Sequence, residues 1–282
     1  ISELLPQFDQ FEYCGRGGMG IVFQCRQKEL DRKIAIKILP DSLSQDLIFK
    51  LRFEKEARII ASLSHPSIIK VHDFGITNEV MWFTMEYISG GTLAESMSHY
   101  QFAGDSNNAK PLKILHEICS AIDFAHQNEI LHRDLKPINI LINDDHSQSQ
   151  VNAIITDFGL AVSGSGENVN TQLTQTGFNI ASNAYTAPEL QTSESISGSS
   201  TASDQYSVAA IAYELLTGNK AIGAFLYPSE CRDFSTNVDA VIRKALSPDP
   251  HKRYAKAMHF YLELEEALHS KKSSGLEIVT IH

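Results

Sequence analysis

Three oxygen-bearing side chains stand close together in this chain of 282 residues. Asp134 and Asn139 lie in Ile130-Leu131-His132-Arg133-Asp134-Leu135-Lys136-Pro137-Ile138-Asn139, and Asp157 follows eighteen residues after Asn139 in Asp157-Phe158-Gly159. A carboxylate can orient and deprotonate an attacking hydroxyl. An amide oxygen and a second carboxylate suit the hard divalent cations that neutralise phosphate charge. The pattern H-R-D-x-x-x-x-N followed by D-F-G therefore points to phosphoryl transfer, with Asp134 as base and Asn139 and Asp157 as metal ligands. A loop with an Arg and two Asp residues is ordinary on its own; the combination is not.

Upstream, Gly15-Arg16-Gly17-Gly18-Met19-Gly20-Ile21-Val22 fits G-x-G-x-x-G-x-V. A glycine-rich hexamer alone is more often a tight turn than a nucleotide site. Here Gly15, Gly17 and Gly20 sit between two strand-like runs, where they would let backbone approach a triphosphate without Cβ clashes. A dinucleotide-binding turn or Walker A loop would need a helix at once, and the latter a Gly-Lys-Ser/Thr ending that is missing. After the glycines comes Ile34-Ala35-Ile36-Lys37, and far downstream Ala187-Pro188-Glu189.

This ordered set of motifs resembles the protein kinase family, and the compact chain with Asp204-Gln205-Tyr206-Ser207 looks most like bacterial Hanks-type kinases. The resemblance implies an α+β, two-lobed fold: a small five-stranded antiparallel N-lobe with one helix over residues 1–88, and a larger, mainly helical C-lobe over 89–282. It implies ATP and Mg²⁺ as cofactors, with Mn²⁺ an alternative, and protein substrates with Ser or Thr acceptors. Lys37 resembles the lysine that pairs the α and β phosphates, and Glu56 the helix carboxylate that holds it. Glu54 competes for that role; Glu56 is preferred because Ile59, Ile60 and Leu63 would share its inward face. Val22, Ala35 and Leu141 would sandwich the adenine. Met85, Glu86, Tyr87 and Ile88 would form the gatekeeper and hinge, although a Met or Tyr there reads equally well as plain core.

In the same resemblance Lys136 contacts the γ-phosphate and favours Ser/Thr acceptors, with Ser182 bridging Asp134 and Lys136. Val71, Ile60, Phe158 and His132 match a stacked regulatory column, so His132 reads as packing rather than as a base. Glu189 and Arg253 match a buried ion pair, and Asp204 the carboxylate that braces the catalytic loop. Two departures stand out. Gly218 to Phe234 is short for a substrate-docking helix, and Leu160 to Glu189 contains no Lys or Arg. A phosphate on that second segment would depend on Arg133 and Arg52. A small-molecule kinase should lack the Ala187-Pro188-Glu189 and Ser182 features. A catalytically silent scaffold would usually have lost Lys37, Asp134, Asn139 or Asp157, and all four are present.

The elements that must position these residues are legible in the periodicity. Short β-branched runs at Phe11–Gly15, Ile21–Arg26, Lys33–Leu39, Lys70–Gly75 and Val80–Glu86 read as strands, with a helical pattern at Asp46–Ser62. Leu112, Leu115, Ile118, Cys119, Ile122, Ala125 and His126 share one face of a long helix. Further helices are expected at Ser203–Thr217, Asn237–Leu246 and Ala255–His269, and a strand at Val151–Thr156 after a polar insertion, Asp144–Gln150. An apolar content of 43% suffices for a substantial core, and a net charge of −10 argues against binding nucleic acid or anionic membrane. The four cysteines show no metal spacing, so free thiols in a reducing, cytoplasmic setting are expected. No run is long enough to cross a bilayer, and a first residue that is not Met suggests a domain of a longer protein. Oligomeric state is not legible.

Overall fold

The computed structural model describes residues 1–17, 20–40, 54, 57–102, 108–145, 150–158, 183–191 and 199–270. Five strands, β1 (Phe8–Gly17), β2 (Gly20–Gln27), β3 (Arg32–Ile38), β4 (Val71–Thr77) and β5 (Val80–Glu86), form one sheet in the order β1-β2-β3-β5-β4. Every neighbouring pair is antiparallel. Each expected strand is present: β1 and β2 extend past both expected ends, β3 and β4 are shifted by one or two residues, and β5 coincides.

Alternation along β3 sorts its side chains onto two faces. Ile34 and Ile36 join Leu5, Phe8, Cys25 and Trp82 in an apolar cluster on one face. Ala35 joins Met81, Phe83 and Met85 in the main core on the other, and Lys37 follows it by two residues onto that same side. Gly20 allows the β1–β2 hairpin to lie close to β3: its φ is +135°, and a Cβ there would come within 2.1 Å of the Ile38 carbonyl oxygen. Residues 57–62 are helical. Ala57, Ile60 and Leu63 are buried, but Ile59 is exposed. The inward stripe is thus narrower than the expected Ile59, Ile60 and Leu63 set, because it is centred on the 57/60 edge of the helix.

The second half is mainly helical: α1 (Leu93–Ser96), α2 (Ala109–Gln127), α3 (Thr201–Thr217), α4 (Pro228–Cys231), α5 (Thr236–Ala245) and α6 (Ala257–His269), with one hairpin, β6 (Ile140–Asp145) and β7 (Gln150–Ile155). The proposed lobe division at 88/89 falls in the connection from β5 to α1. Asp144 and Asp145, expected in a polar insertion, instead pair with Val151 and Gln150. Backbone groups can extend a ladder whatever the side chains are. The α3 helix is buried on nearly every side from Ser203 to Thr217, its Val208-Ala209-Ala210-Ile211-Ala212 run allowing neighbours to approach all round. It ends at Gly218 in the left-handed conformation, φ +76°. The α6 N-terminus has no cap of its own; Asp123 on α2 accepts hydrogen bonds from the Ala257 and Met258 amides.

The two halves are stitched by backbone. The Ile69 amide donates to the Ile155 carbonyl and the Ile155 amide to that of Ser67, both at 2.9 Å. The four cysteines are unpaired, with Cys25 and Cys119 buried. Burial pushes the Cys25 thiol up to about 12, so it stays protonated and unreactive. Gly20→Ala should lower stability in urea denaturation by about 1–3 kcal/mol, since a Cβ would have to displace backbone of β3 at a strained φ.

Candidate active site

The loop between α2 and β6 carries most of the expected chemistry, and its shape is set by one buried carboxylate. Asp204, in the first turn of α3, is 1% exposed. Its Oδ2 accepts from the His132 amide and its Oδ1 from the Arg133 amide, each at 2.8 Å. Arg133 takes a left-handed φ of +67°, which costs a non-glycine residue on the order of 1–3 kcal/mol unless the surroundings enforce it. These two hydrogen bonds do so.

His132 is fully buried and its ring lies 4.7 Å from that of Phe158. Its Nδ1 accepts from the Asp134 amide, and its Nε2 is 3.0 Å from the Thr156 carbonyl, so Nε2 carries the proton and donates. A neutral ring with both nitrogens used is a structural post, in keeping with the expected column. Phe158, Ile60 and Val71 share the lining of one cavity with Phe83 and Asp157.

The Asp134 side chain is 40% exposed, open to a reactant. Lys136 Nζ lies 2.9 Å from its Oδ2 and 3.0 Å from its Oδ1. The Asn139 amide nitrogen donates to the Asp134 carbonyl at 2.8 Å and to its carboxylate at 3.3 Å. With its nitrogen so fixed, Asn139 offers Oδ1 to a cation. The Thr156 amide donates to the Asn139 carbonyl at 2.9 Å, which ties the Asp157 loop to this one. Asp157 also has a positive φ, +64°. An amide oxygen and a carboxylate make a small, hard donor set that suits Mg²⁺, an ion that keeps several waters and takes phosphate oxygens as further ligands.

Lys37 is brought to Asp157, with Nζ 2.6 Å from Oδ1 and its side chain 5% exposed. The expected partner, Glu56, lies outside the described residues, so the Lys37–Glu56 pair is not seen. The competitor Glu54 faces Arg58 at 3.9 Å. Arg52, Ser182 and the segment from Leu160 to Ala181 also lie outside.

Of the expected nucleotide contacts, Gly15 and Lys37 both pair with Val22 across the sheet, and Gly17 with Gly20. Ala35 and Met85, which pair across β3 and β5, belong to the main core, and Val22, Leu141, Tyr87 and Ile88 pack against it. Leu141 in turn bridges to Thr92. Glu86 is fastened to Lys70 by hydrogen bonds from its backbone amide and to its side chain, each 3.0 Å, while Tyr87 and Ile88 lie past the end of the ladder.

The chain matches the protein kinase domain model over residues 8–270. It belongs to the protein kinase family. The kinase domain is 32% identical to the serine/threonine-protein kinase PknB of Mycobacterium tuberculosis, over 99% of this chain and 46% of that protein. To PrkC of Bacillus subtilis, a serine/threonine-protein kinase, it is 35% identical over 90% of this chain and 39% of that protein. It thus spans less than half the length of these relatives. Among solved structures, the PknI kinase domain of M. tuberculosis superposes with a TM-score of 0.69 at 25% identity, covering 92% of this chain and 97% of that one.

Two further groups complete the frame of the kinase domain. Arg253 holds Glu189 through two bonds of 2.7 Å and also donates to the Ser247, Ala202 and Pro248 carbonyls. The Tyr185 hydroxyl donates to Glu214, and Ser207 Oγ to the Tyr185 carbonyl. The residue that sequence reasoning missed is His126. It has only a place on the α2 face in the sequence, yet its Nε2 lies 2.8 Å from Asp204 Oδ2 and supplies that carboxylate's third donor. Nothing in local spacing marks a histidine whose partner is 78 residues away.

His126→Leu should reduce stability by about 1–3 kcal/mol by leaving a buried carboxylate short of a donor, and should speed hydrogen exchange at His132 and Arg133. His126→Gln should restore most of both. For Glu189, burial works to raise the carboxyl, but the Arg253 hydrogen bonds and charge hold it below its ordinary value. Its contribution is therefore present above the unfolded glutamate pKa and is lost as pH falls through the depressed folded value. Melting curves from pH 7 to 3 should show Glu189→Gln less stable than the parent at pH 7 and the gap closing in acid.

Proposed function

We propose that this domain transfers the γ-phosphoryl group of ATP to serine or threonine hydroxyls of protein substrates. One observation carries the reading. Asp134 keeps a partly exposed carboxylate on a loop otherwise immobilised by Asp204, with Lys136 and Asn139 both hydrogen-bonded to it. A base so held can receive a hydroxyl proton without reorganising.

In this reading the glycine loop at Gly15, Gly17 and Gly20 covers the triphosphate, and Val22, Ala35 and Leu141 enclose the adenine. Met85 limits its pocket, and Glu86, Tyr87 and Ile88 present backbone to its edge. Asn139 Oδ1 and the Asp157 carboxylate hold Mg²⁺, which when bound neutralises phosphate charge. Lys37 takes the α and β phosphates, and Glu56 then receives its ammonium. The substrate oxygen bonds to the γ-phosphorus as the bond to ADP breaks, and its proton passes to Asp134. Lys136 offsets the charge on the transferring group.

The Ser/Thr preference rests on Lys136 and on the names of the bacterial relatives. A silent scaffold is disfavoured by the presence of Lys37, Asp134, Asn139 and Asp157 with their polar atoms turned to one another. Among the described residues no helix is long and apolar enough to cross a membrane. We place the domain in the cytoplasm as part of a longer protein.

Asp134→Asn should keep Mg²⁺-ATP binding by calorimetry while slowing phosphoryl transfer by roughly 10²–10⁴. Asp157→Asn should instead weaken the metal-dependent part of nucleotide binding. Labelled ATP and a generic basic protein, with mapping of the labelled residues, separate Ser/Thr from Tyr acceptors. Normal turnover in both variants would overturn the assignment.

A further inference from the structure

Burial alternates along the loop that carries the base. The Asp134 and Lys136 side chains are 40% and 25% exposed and Ile138 is 56% exposed, whereas Leu135, Pro137 and Asn139 between them are buried. Lys136 is extended, with φ −160° and ψ 162°, and extended chain turns successive side chains to opposite sides. Ile138 therefore shares the open face of the loop with the two groups assigned to the acceptor hydroxyl and the transferring phosphate. The backbone holds it there. The Asn139 amide donates to the Lys136 carbonyl at 2.9 Å, closing the turn over Pro137–Asn139, and the Asn139 side chain is fixed to the Asp134 carbonyl. A lone exposed apolar side chain is ordinary on a protein surface. One held four residues from the carboxylate assigned as base, on the same face, is placed to meet what that base meets.

Resting on the reading above, we propose that Ile138 is a specificity residue that gives this domain a preference for an apolar side chain near the Ser or Thr acceptor of its protein substrate. Four residues of chain span at most about 14 Å, so an extended substrate with its hydroxyl at Asp134 brings to Ile138 a side chain no more than about four positions away. The charges around the turn favour an apolar partner over a basic one. From Ile130 to Ile142 the chain carries Arg133 and Lys136 against the single carboxylate of Asp134, which Lys136 already contacts. Helix α1, packed against the turn, brings Glu95, whose Oε2 is held as a cap by the Thr92 amide at 2.8 Å. A substrate arginine beside Ile138 would shed water against apolar surface in the company of two like charges. A leucine or valine there covers apolar surface on both partners.

The test is a peptide library with a central serine or threonine and each of the four positions on either side varied in turn, phosphorylated by the whole chain with Mg²⁺-ATP. At one flanking position the parent should show a kcat/KM about threefold or more higher for Leu, Ile, Val or Met than for Arg, the scale expected for covering about half an aliphatic side chain. Ile138→Ala should flatten the profile at that position and leave the other positions as they are. Ile138→Glu should turn the same position toward Arg and Lys, because it supplies a carboxylate where the parent has apolar surface. Melting curves check that both variants fold, and Ile138→Ser takes the place of either one that does not. A parent profile without apolar preference at any flanking position, or one that both variants leave unchanged, would overturn this inference alone. Failure of the folded parent to label serine or threonine in any peptide would instead overturn the reading beneath it.

Discussion

A buried carboxylate that is not neutralised by an arginine or lysine must collect hydrogen bonds, and Asp204 collects three of them from two separate pieces of chain. Two are the His132 and Arg133 amides of the catalytic loop, and the third is the imidazole of His126 at the end of α2. Every donor so recruited is fixed by the need to satisfy that charge in a medium where water cannot. The loop conformation, including the left-handed Arg133, follows from this demand. Asp134 is only one residue further on, so its position is a consequence of a polar requirement in the centre of the helical half.

The same logic runs from α3 outward. The helix is surrounded on nearly all sides, and three of its polar residues serve neighbours: Asp204 the catalytic loop, Ser207 the Tyr185 carbonyl, and Glu214 the Tyr185 hydroxyl. Arg253, itself fully buried, ties Glu189 to the carbonyls of Ser247, Pro248 and Ala202 at the helix start. The substrate side of the site is therefore suspended from one helix, while the nucleotide side hangs from β3 and β5. Phe158 against His132, and Ile69 paired with Ile155, join the two.

Much of this was readable from residue order. The five strands, the long α2 helix and α3 with its glycine stop are local in origin, since alternation, 3.6-residue periodicity and a C-terminal glycine act over a few positions. The catalytic and metal-binding candidates were equally accessible, because they recur in short ordered motifs. What escaped was partnership at a distance. His126 looks like any half-buried helix residue until α3 arrives, and apolar spacing does not separate the exposed Ile59 from Ala57, Ile60 and Leu63, which meet the core. Lys37 lies beside Asp157, a contact across 120 positions that spacing along the chain does not reveal.

The way α6 begins has a bearing on how the chain folds. Its first two free amides are capped by Asp123, a residue 134 positions earlier in the sequence, and Lys256 at the cap position contributes no side-chain hydrogen bond. A helix of thirteen residues is marginal by itself in water. Its start therefore cannot be secured until α2 is already in place to receive it, so α6 gains its full order late, on a preformed surface, and carries the loop-closure entropy of the intervening chain. Unfolding should reverse this dependence. Loss of α2 must release the α6 terminus, whereas α6 can open while α2 persists, so the α6 amides are expected to exchange no more slowly than those of α2.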